Sequence, residues 1–167
     1  MFSAAAFPAS PYAGQQEREI KSLSVQEIGD YLAGKGMGLA KAAELNGYPG
    51  PAHALELADQ LALTVEQRKQ TEALFKDMQA KAIAAGERYI GEERMLNRLF
   101  TMKTISVTTL QAALARVAAQ QSQVRLTHLE AHLTQVAILT PEQIAQYNEL
   151  RGYLNPGGQA THQHVGH

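Results

Sequence analysis

The stretch that decides the fold is LQAALARVAAQQSQVRLTHLEAHLTQVAI, which runs from Leu110 to Ile138. Its apolar residues recur at alternating steps of three and four, which is the spacing of a helix that packs along a partner helix. The main stripe consists of Leu110, Leu114, Val117, Gln121, Val124, His128, Ala131, Gln135 and Ile138. A second apolar stripe on another face consists of Leu126, Leu129, Leu133 and Val136. A helix with two stripes needs two neighbours, and the second can be a flanking helix, a second subunit or an open surface for client proteins.

The segment before this helix predicts a partner of matching length. Helical periodicity extends from Thr64 to about Phe100, and Thr101 to Ser106 supplies the turn. Alternation of β-branched residues is almost absent, and 45% of the 167 residues are hydrophobic, which is enough for a modest core. The sequence therefore predicts an all-α protein built on a long antiparallel helical hairpin that is flanked by shorter helices.

Changes in composition divide the chain into four segments. Residues 1–14 predict a flexible N-terminal arm, and residues 15–51 predict short helices with a Gly/Pro-rich connector. Residues 52–155 form the predicted hairpin domain, and residues 156–167 form a predicted disordered tail that contains histidines.

Shorter helices are expected on either side of the hairpin. Ser24 and Glu27 fit a capping box, so a helix should begin after Ser24. The segment from Ala52 to Leu61 is amphipathic, and a last helix is expected to continue to about Tyr153.

Composition argues against several classes of function. Lys and Arg number 15 and Asp and Glu number 16, and the resulting net charge of -1 argues against a nucleic-acid partner. The chain has no cysteine, which excludes a disulfide, a thiolate metal site and a cysteine nucleophile. No apolar run approaches the ~20 residues of a membrane span. No nucleophile motif surrounds any serine, so an enzyme is not expected.

Two copies of the motif Leu-Thr-x-x-Gln bracket the hairpin. The first spans Leu63 to Gln67 and the second spans Leu139 to Gln143. In each, a threonine (Thr64 or Thr140) stands at the N-cap and a glutamine at N3, which is the pattern of a capping box. Paired boxes around a helical hairpin resemble the Spy/CpxP family of periplasmic stress proteins, known for an LTxxQ motif, and the related metal-responsive ZraP and CnrX proteins.

The resemblance covers roughly Ala52 to Tyr153 and carries expectations about function. It implies a non-enzymatic homodimer in the periplasm, reached after removal of an upstream signal peptide. Expected partners are unfolded protein clients or a membrane sensor. The region from Gln15 to Pro51 is not part of the family pattern. The strongly basic concave surface expected of the chaperone Spy is not evident at a net charge of -1, and this favours a role in metal response over general chaperone action.

The histidines of the hairpin are predicted to meet at one level of the bundle. His128 and His132 are four residues apart and leave one face of a helix, so they can share a metal ion. If the hairpin folds near residue 103 and the preceding helix folds back near residue 63, His53 arrives at the level of both. Glu72 and Asp77 lie near that level.

The resemblance to CnrX-type sensors adds roles for these residues. It implies that His53, His128 and His132 are metal ligands and that Glu72 or Asp77 is a fourth ligand. Imidazole and carboxylate suit Zn, Ni, Co or Cu(II), and no organic cofactor is expected. The alternative is that the internal histidines only pack or form hydrogen bonds. Loose histidine tracts bind divalent ions weakly, which applies to the tail residues His162, His164 and His167.

Three functions follow, in order of preference. The first is a periplasmic stress or heavy-metal-response protein that binds a divalent transition metal for sensing or buffering. The second is an ATP-independent chaperone or adaptor of the Spy/CpxP type, which would use the Leu126 stripe as its client or dimer surface. The third is a structural homodimer without metal.

Overall fold

The computed structural model describes residues 9–153, which contain helices and turns and no strand. Residues 1–8 of the predicted arm and the tail histidines His162, His164 and His167 lie outside this range. The all-α class and the long helix pair are confirmed, whereas the likeness to Spy/CpxP stays a prediction. The described helices are a 3-10 helix Gln15–Glu17 and the α-helices α1 Val25–Leu32, α2 Lys41–Glu44, α3 Pro51–Glu56, α4 Val65–Thr101, α5 Val107–Ile138 and α6 Pro141–Leu150.

The chain forms two compact units, and each contains part of both long helices. The first unit consists of the residues up to Lys35 together with Lys81–Val124. The second unit consists of Gly36–Ala80 together with the residues from Arg125 onward. No helix in the described range combines the length and apolarity that crossing a bilayer requires.

In the first unit, α4 and α5 run antiparallel and the N-terminal segment packs against α4. Arg116 Nε donates to Glu92 Oε2 at 2.9 Å, which joins the two helices. The ring of Tyr31 on α1 lies tilted against the ring of Tyr89, with 4.9 Å between centroids. The buried Glu93 accepts hydrogen bonds from Ser22 Oγ at 2.7 Å and from Tyr89 Oη at 3.2 Å. A satisfied carboxylate therefore fixes the N-terminal segment on α4.

In the second unit, the pairing of α4 with α5 has the predicted register. A turn near residue 103 places residue 132 opposite about residue 75. The buried Gln135 donates to the buried Thr71 Oγ1 at 3.1 Å, which is the same register within one residue. Simple antiparallel folding of two straight helices accounts for this alignment.

The capping boxes predicted from the sequence are present. Thr64 Oγ1 accepts from Gln67 N at 3.1 Å, and Gln67 Oε1 accepts from Thr64 N at 3.1 Å. Thr140 and Gln143 form the same reciprocal pair at the start of α6. Two otherwise unpaired backbone N–H groups are thus satisfied at each helix start.

The glutamines of the two boxes also bind each other. Gln67 Nε2 donates to Gln143 Oε1 at 2.8 Å, and Gln143 Nε2 donates to Gln67 Oε1 at 3.0 Å. Gln67 Nε2 further donates to the Ile138 carbonyl at 2.9 Å, and Gln143 Nε2 donates to the Leu61 carbonyl at 3.1 Å. The amide pair therefore joins the starts of α4 and α6 to the end of α5.

Two flanking helices are shorter than the sequence predicts. The helix expected over Ala52 to Leu61 is α3, which ends at Glu56 and continues as turns. The last helix ends at Leu150 rather than near Tyr153, because Gly152 adopts a left-handed conformation with φ 75°. Gly152 N bonds to the Glu149 carbonyl and Tyr153 N to the Asn148 carbonyl, both at 2.9 Å. This is a Schellman ending, for which glycine is the preferred residue.

The main stripe of α5 departs from the predicted seam at two positions. Leu114 is 47% exposed and Gln121 is exposed, whereas Ala113 is buried. A straight helix drifts by about 20° per heptad relative to a strict seven-residue repeat, so the buried face moves off the heptad positions. Thr127, expected on the polar face, is also buried.

Two glycines of α4 provide a matched test of the packing of α1 against α4. A Cβ on Gly86 would lie 2.6 Å from the backbone oxygen of Tyr31, whereas a Cβ on Gly91 would meet nothing within 4 Å. We expect Gly86→Ala to lower the free energy of unfolding by about 1–3 kcal/mol, because backbone must move. Gly91→Ala should raise it by up to about 1 kcal/mol through helix propensity. Urea denaturation measures both, and equal effects of the two substitutions would contradict the close approach.

Candidate binding site around Glu44

A tight turn directs Glu44 into the interior of the second unit. Glu44 is the last residue of α2. The chain then reverses at Gly47, which has φ 82°, and the Tyr48 N–H bonds to the Ala43 carbonyl at 3.1 Å. Asn46 Nδ2 donates to the Ala42 carbonyl at 2.8 Å and holds the turn. The result is a carboxylate on a buried residue, 8% exposed, which requires hydrogen-bonding or charged partners.

One oxygen of this carboxylate is held by the end of α6. Glu44 Oε1 accepts from Tyr147 Oη at 2.6 Å and from Tyr153 Oη at 2.9 Å. Arg151 Nε lies 3.5 Å from the same oxygen. Burial, and after it the bond to Glu44, raise the pKa of Tyr147, which keeps that phenol a neutral donor. The Schellman turn at Gly152 brings Tyr153 to this position.

Two histidines approach the same carboxylate from other elements. His53 on α3 places Nδ1 3.5 Å from Oε1, and His132 on α5 places Nδ1 3.6 Å from Oε2. The His132 Nδ1 donates to the Tyr48 carbonyl at 2.7 Å. A carbonyl can only accept, so this bond assigns the proton to Nδ1 and leaves Nε2 with a lone pair in the neutral ring.

Gly50 makes this approach of His132 possible. A Cβ at residue 50 would lie 2.8 Å from His132 Cε1, 3.0 Å from His132 Nε2 and 3.6 Å from Glu44 Oε2. A side chain there would therefore displace the imidazole. Gly50 also precedes Pro51, which opens α3 and so sets the position of His53.

Four buried side-chain atoms of the second unit have no hydrogen-bond partner within the described residues. They are Glu44 Oε2, His128 Nε2, Gln135 Oε1 and Asn148 Oδ1, and all four are buried. Burial, and after it the charge of His132, lower the pKa of His128, so the buried His128 ring favours its neutral form. Unsatisfied buried polar atoms are rare in proteins, and a bound ion or an ordered water is among the explanations for them.

The structure brings some of the predicted ligands together and separates others. His53 and His132 meet at Glu44, and His128 lies one turn before His132 with 3% exposure. Glu72 and Asp77 are exposed on α4, and Glu44 is the carboxylate that the histidines meet. Across residues 9–153, no three His, Asp or Glu side chains are already placed to hold one metal ion. Metal binding stays a prediction.

Sequence reasoning missed Glu44 and its partners on α6 and in the turn that follows it. The sequence carries one local signal for Glu44, which is an acidic residue after two alanines and shortly before the Asn46-Gly47 turn. Nothing local marks Tyr147, Arg151 or Tyr153, because their common target lies more than 100 residues away.

The second stripe of α5 is partly exposed in the single chain. Leu133 is 58% exposed and Leu126 is 43% exposed, whereas Leu129 and Val136 are half-buried. Part of the stripe is therefore accessible in the single chain, and a second subunit or an open surface for clients stays a prediction for it.

Comparison with models of known protein families, with curated proteins and with solved structures gives no match. The resemblance to the Spy/CpxP family therefore stays an expectation from the paired motifs.

The lowered pKa of His128 predicts a pH dependence of stability. The unfolded chain binds a proton on this residue near its ordinary pKa of 6.5, above the pKa of the folded state. The folded state therefore loses stability as the pH falls below that value. We expect the free energy of unfolding to drop between about pH 7.5 and about pH 5.5, and to drop less in His128→Leu. Urea titrations at both pH values measure this, and an equal drop in the variant would contradict the prediction.

Proposed function

We propose that this chain is a non-enzymatic protein that binds a divalent transition metal at Glu44, His53 and His132, for sensing or buffering. One observation carries the proposal: the buried oxygen Glu44 Oε2 has no hydrogen-bond partner, although the His132 imidazole lies beside it and the His53 imidazole lies beside Oε1 of the same carboxylate. A buried carboxylate in that situation is stabilised by a cation.

The chemistry of the donors suits such an ion. Imidazole nitrogen and carboxylate oxygen together favour Zn, Ni, Co or Cu(II). When bound, the ion would supply positive charge beside Glu44. The bond from His132 Nδ1 to the Tyr48 carbonyl resembles the outer bonds that orient ligating histidines in metal proteins. Side chains must rearrange for three ligands to close, and His53, whose side chain is 39% exposed, has the most freedom to do so.

The biological setting of the proposal comes from the paired LTxxQ motifs. They support a periplasmic location, a homodimer and a membrane sensor as partner, as in the family that they resemble. The reciprocal bonds between Gln67 and Gln143 support the view that the two motifs act as one structural unit.

Calorimetric titration distinguishes this site from the set expected from the sequence. The full chain with His162, His164 and His167 replaced by alanine removes the tail as a competing site. Zn, Ni, Co and Cu(II) are then titrated into this chain and into its Glu44→Gln and Glu72→Gln variants. We expect one ion per chain, at least about tenfold weaker binding in Glu44→Gln, and unchanged binding in Glu72→Gln. Loss of binding in Glu72→Gln alone would favour the ligand set predicted from the sequence. Absence of binding in the parent chain would refute the proposal.

The exposed stripe of α5 supports a second candidate, an ATP-independent chaperone or adaptor. Leu126 and Leu133 present apolar surface about two turns apart on the same face of α5. Contiguous exposed apolar surface on a soluble helix is typical of protein-binding sites. Unfolded clients are the expected partners in this reading, and a structural homodimer is the alternative use of the same surface.

A charge on the stripe tests this candidate. We expect the protein to suppress aggregation of a reduced or heated client, and Leu133→Lys to weaken that activity because it puts a charge on the apolar surface. Leu114→Lys is the matched control, since Leu114 is a similarly exposed leucine of α5 outside the stripe. Light scattering measures suppression, and sedimentation velocity shows whether Leu133→Lys instead dissociates a dimer. Equal behaviour of the two lysine variants would exclude the stripe as the binding surface.

A further inference from the structure

The end of α6 and the two histidines share a single carboxylate. Tyr147 on α6 donates to this carboxylate, and so does the segment after α6, which we define as the C-terminal turn, residues 151–153, and which contacts Glu44 through Arg151 and Tyr153. We propose that the C-terminal turn competes with a bound divalent cation for Glu44, so that occupation of the site undocks Arg151 and Tyr153. This inference rests on the proposed function and adds the conformational change by which binding would be signalled.

The charges around Glu44 support competition rather than cooperation. Arg151 carries a full positive charge 3.5 Å from Oε1. Tyr147 and Tyr153 point the positive ends of their O–H dipoles at the same oxygen. Positive charge held at Oε2 would repel all three donors and reduce the charge density that they bind. Because the Glu44 side chain is only 11% exposed, water screens this repulsion weakly.

The three donors differ in how easily they can leave. Tyr147 is fully buried on α6 and is held by packing as well as by Glu44. Arg151 is 32% exposed and Tyr153 is half-buried, and both lie beyond the last residue of α6. Beyond its contact with Glu44, this segment is held by three backbone bonds to α6, from Arg151 N, Gly152 N and Tyr153 N, and by the bond from Arg151 Nε to Tyr153 Oη at 3.3 Å. Undocking would therefore begin at Arg151 and Tyr153 while Tyr147 stays in place.

Reciprocity gives the inference a second, independent consequence. If occupation of the site weakens docking of the C-terminal turn, then removal of the docking contacts must strengthen cation binding by the same free energy. A contact that merely orients Glu44 toward the histidines would have the opposite effect, since its removal would weaken binding. The direction of the change in affinity thus separates competition from orientation.

The experiment uses the full chain with the three tail histidines replaced by alanine, and Zn²⁺ as the probe. Calorimetry compares this chain with Arg151→Gln and Tyr153→Phe. Arg68→Gln is the control for net charge, because Arg68 pairs with Asp59 rather than with Glu44. Hydrogen exchange of the Gly152 and Tyr153 amides, with and without Zn²⁺, reports docking directly.

We expect Arg151→Gln and Tyr153→Phe to bind Zn²⁺ about fivefold more tightly, with no change in Arg68→Gln. Exchange at Gly152 and Tyr153 should accelerate on addition of Zn²⁺. Binding with unchanged or reduced affinity in both variants, or unchanged exchange, would overturn the inference and leave the proposed function intact. Absence of Zn²⁺ binding in the unsubstituted site would overturn both.

Discussion

The reciprocal amide pair between Gln67 and Gln143 is the contact on which the second unit depends. It satisfies the terminal Ile138 carbonyl of α5 and closes two capping boxes at once. A buried polar group that loses its partner costs about 1–3 kcal/mol, so any slip of α4 against α5 would leave several groups unpaired. The pair thereby fixes the register that brings His132 to the Tyr48 carbonyl. It also sets the direction in which α6 leaves α5 and carries Tyr147 to Glu44.

Glu44 differs from the glutamine pair, because only one of its two carboxylate oxygens has hydrogen-bond donors. A buried carboxylate costs folding free energy unless it is compensated. Oε1 receives two phenol donors and a nearby guanidinium, which is ample compensation. Oε2 has no hydrogen-bond donor within the described residues. One amide or hydroxyl group placed beside it would be enough to satisfy it. A site selected for stability alone would supply that donor or replace the acid with an apolar residue. The imbalance between the two oxygens is what favours a ligand at Oε2 over a purely structural role.

Local rules explain which features the sequence could predict. Helical periodicity and capping chemistry depend on neighbours in the chain, so the long helices, the boxes and the register follow from them. The convergence of His53 with His132 also follows, since antiparallel folding fixes the level of each residue along the bundle. The level of a residue along the bundle does not determine which face of the helix carries it. Glu72 and Asp77 therefore lie near the predicted level but on an exposed face of α4. Glu44 could not be found this way, because it lies at the end of the four-residue helix α2, outside the antiparallel pair whose folding fixes these levels.

The two candidate functions use the same helix and can still be separated. His132 and Leu133 are adjacent in the sequence, and successive residues of a helix point about 100° apart. His132 faces Glu44 at 8% exposure, whereas Leu133 faces outward at 58%. A substitution on one face leaves the other face in place, so loss of one activity need not imply loss of the other. The helix also couples the site at His132 to the apolar stripe, because any shift of α5 that accommodates a ligand at His132 must move Leu133 with it.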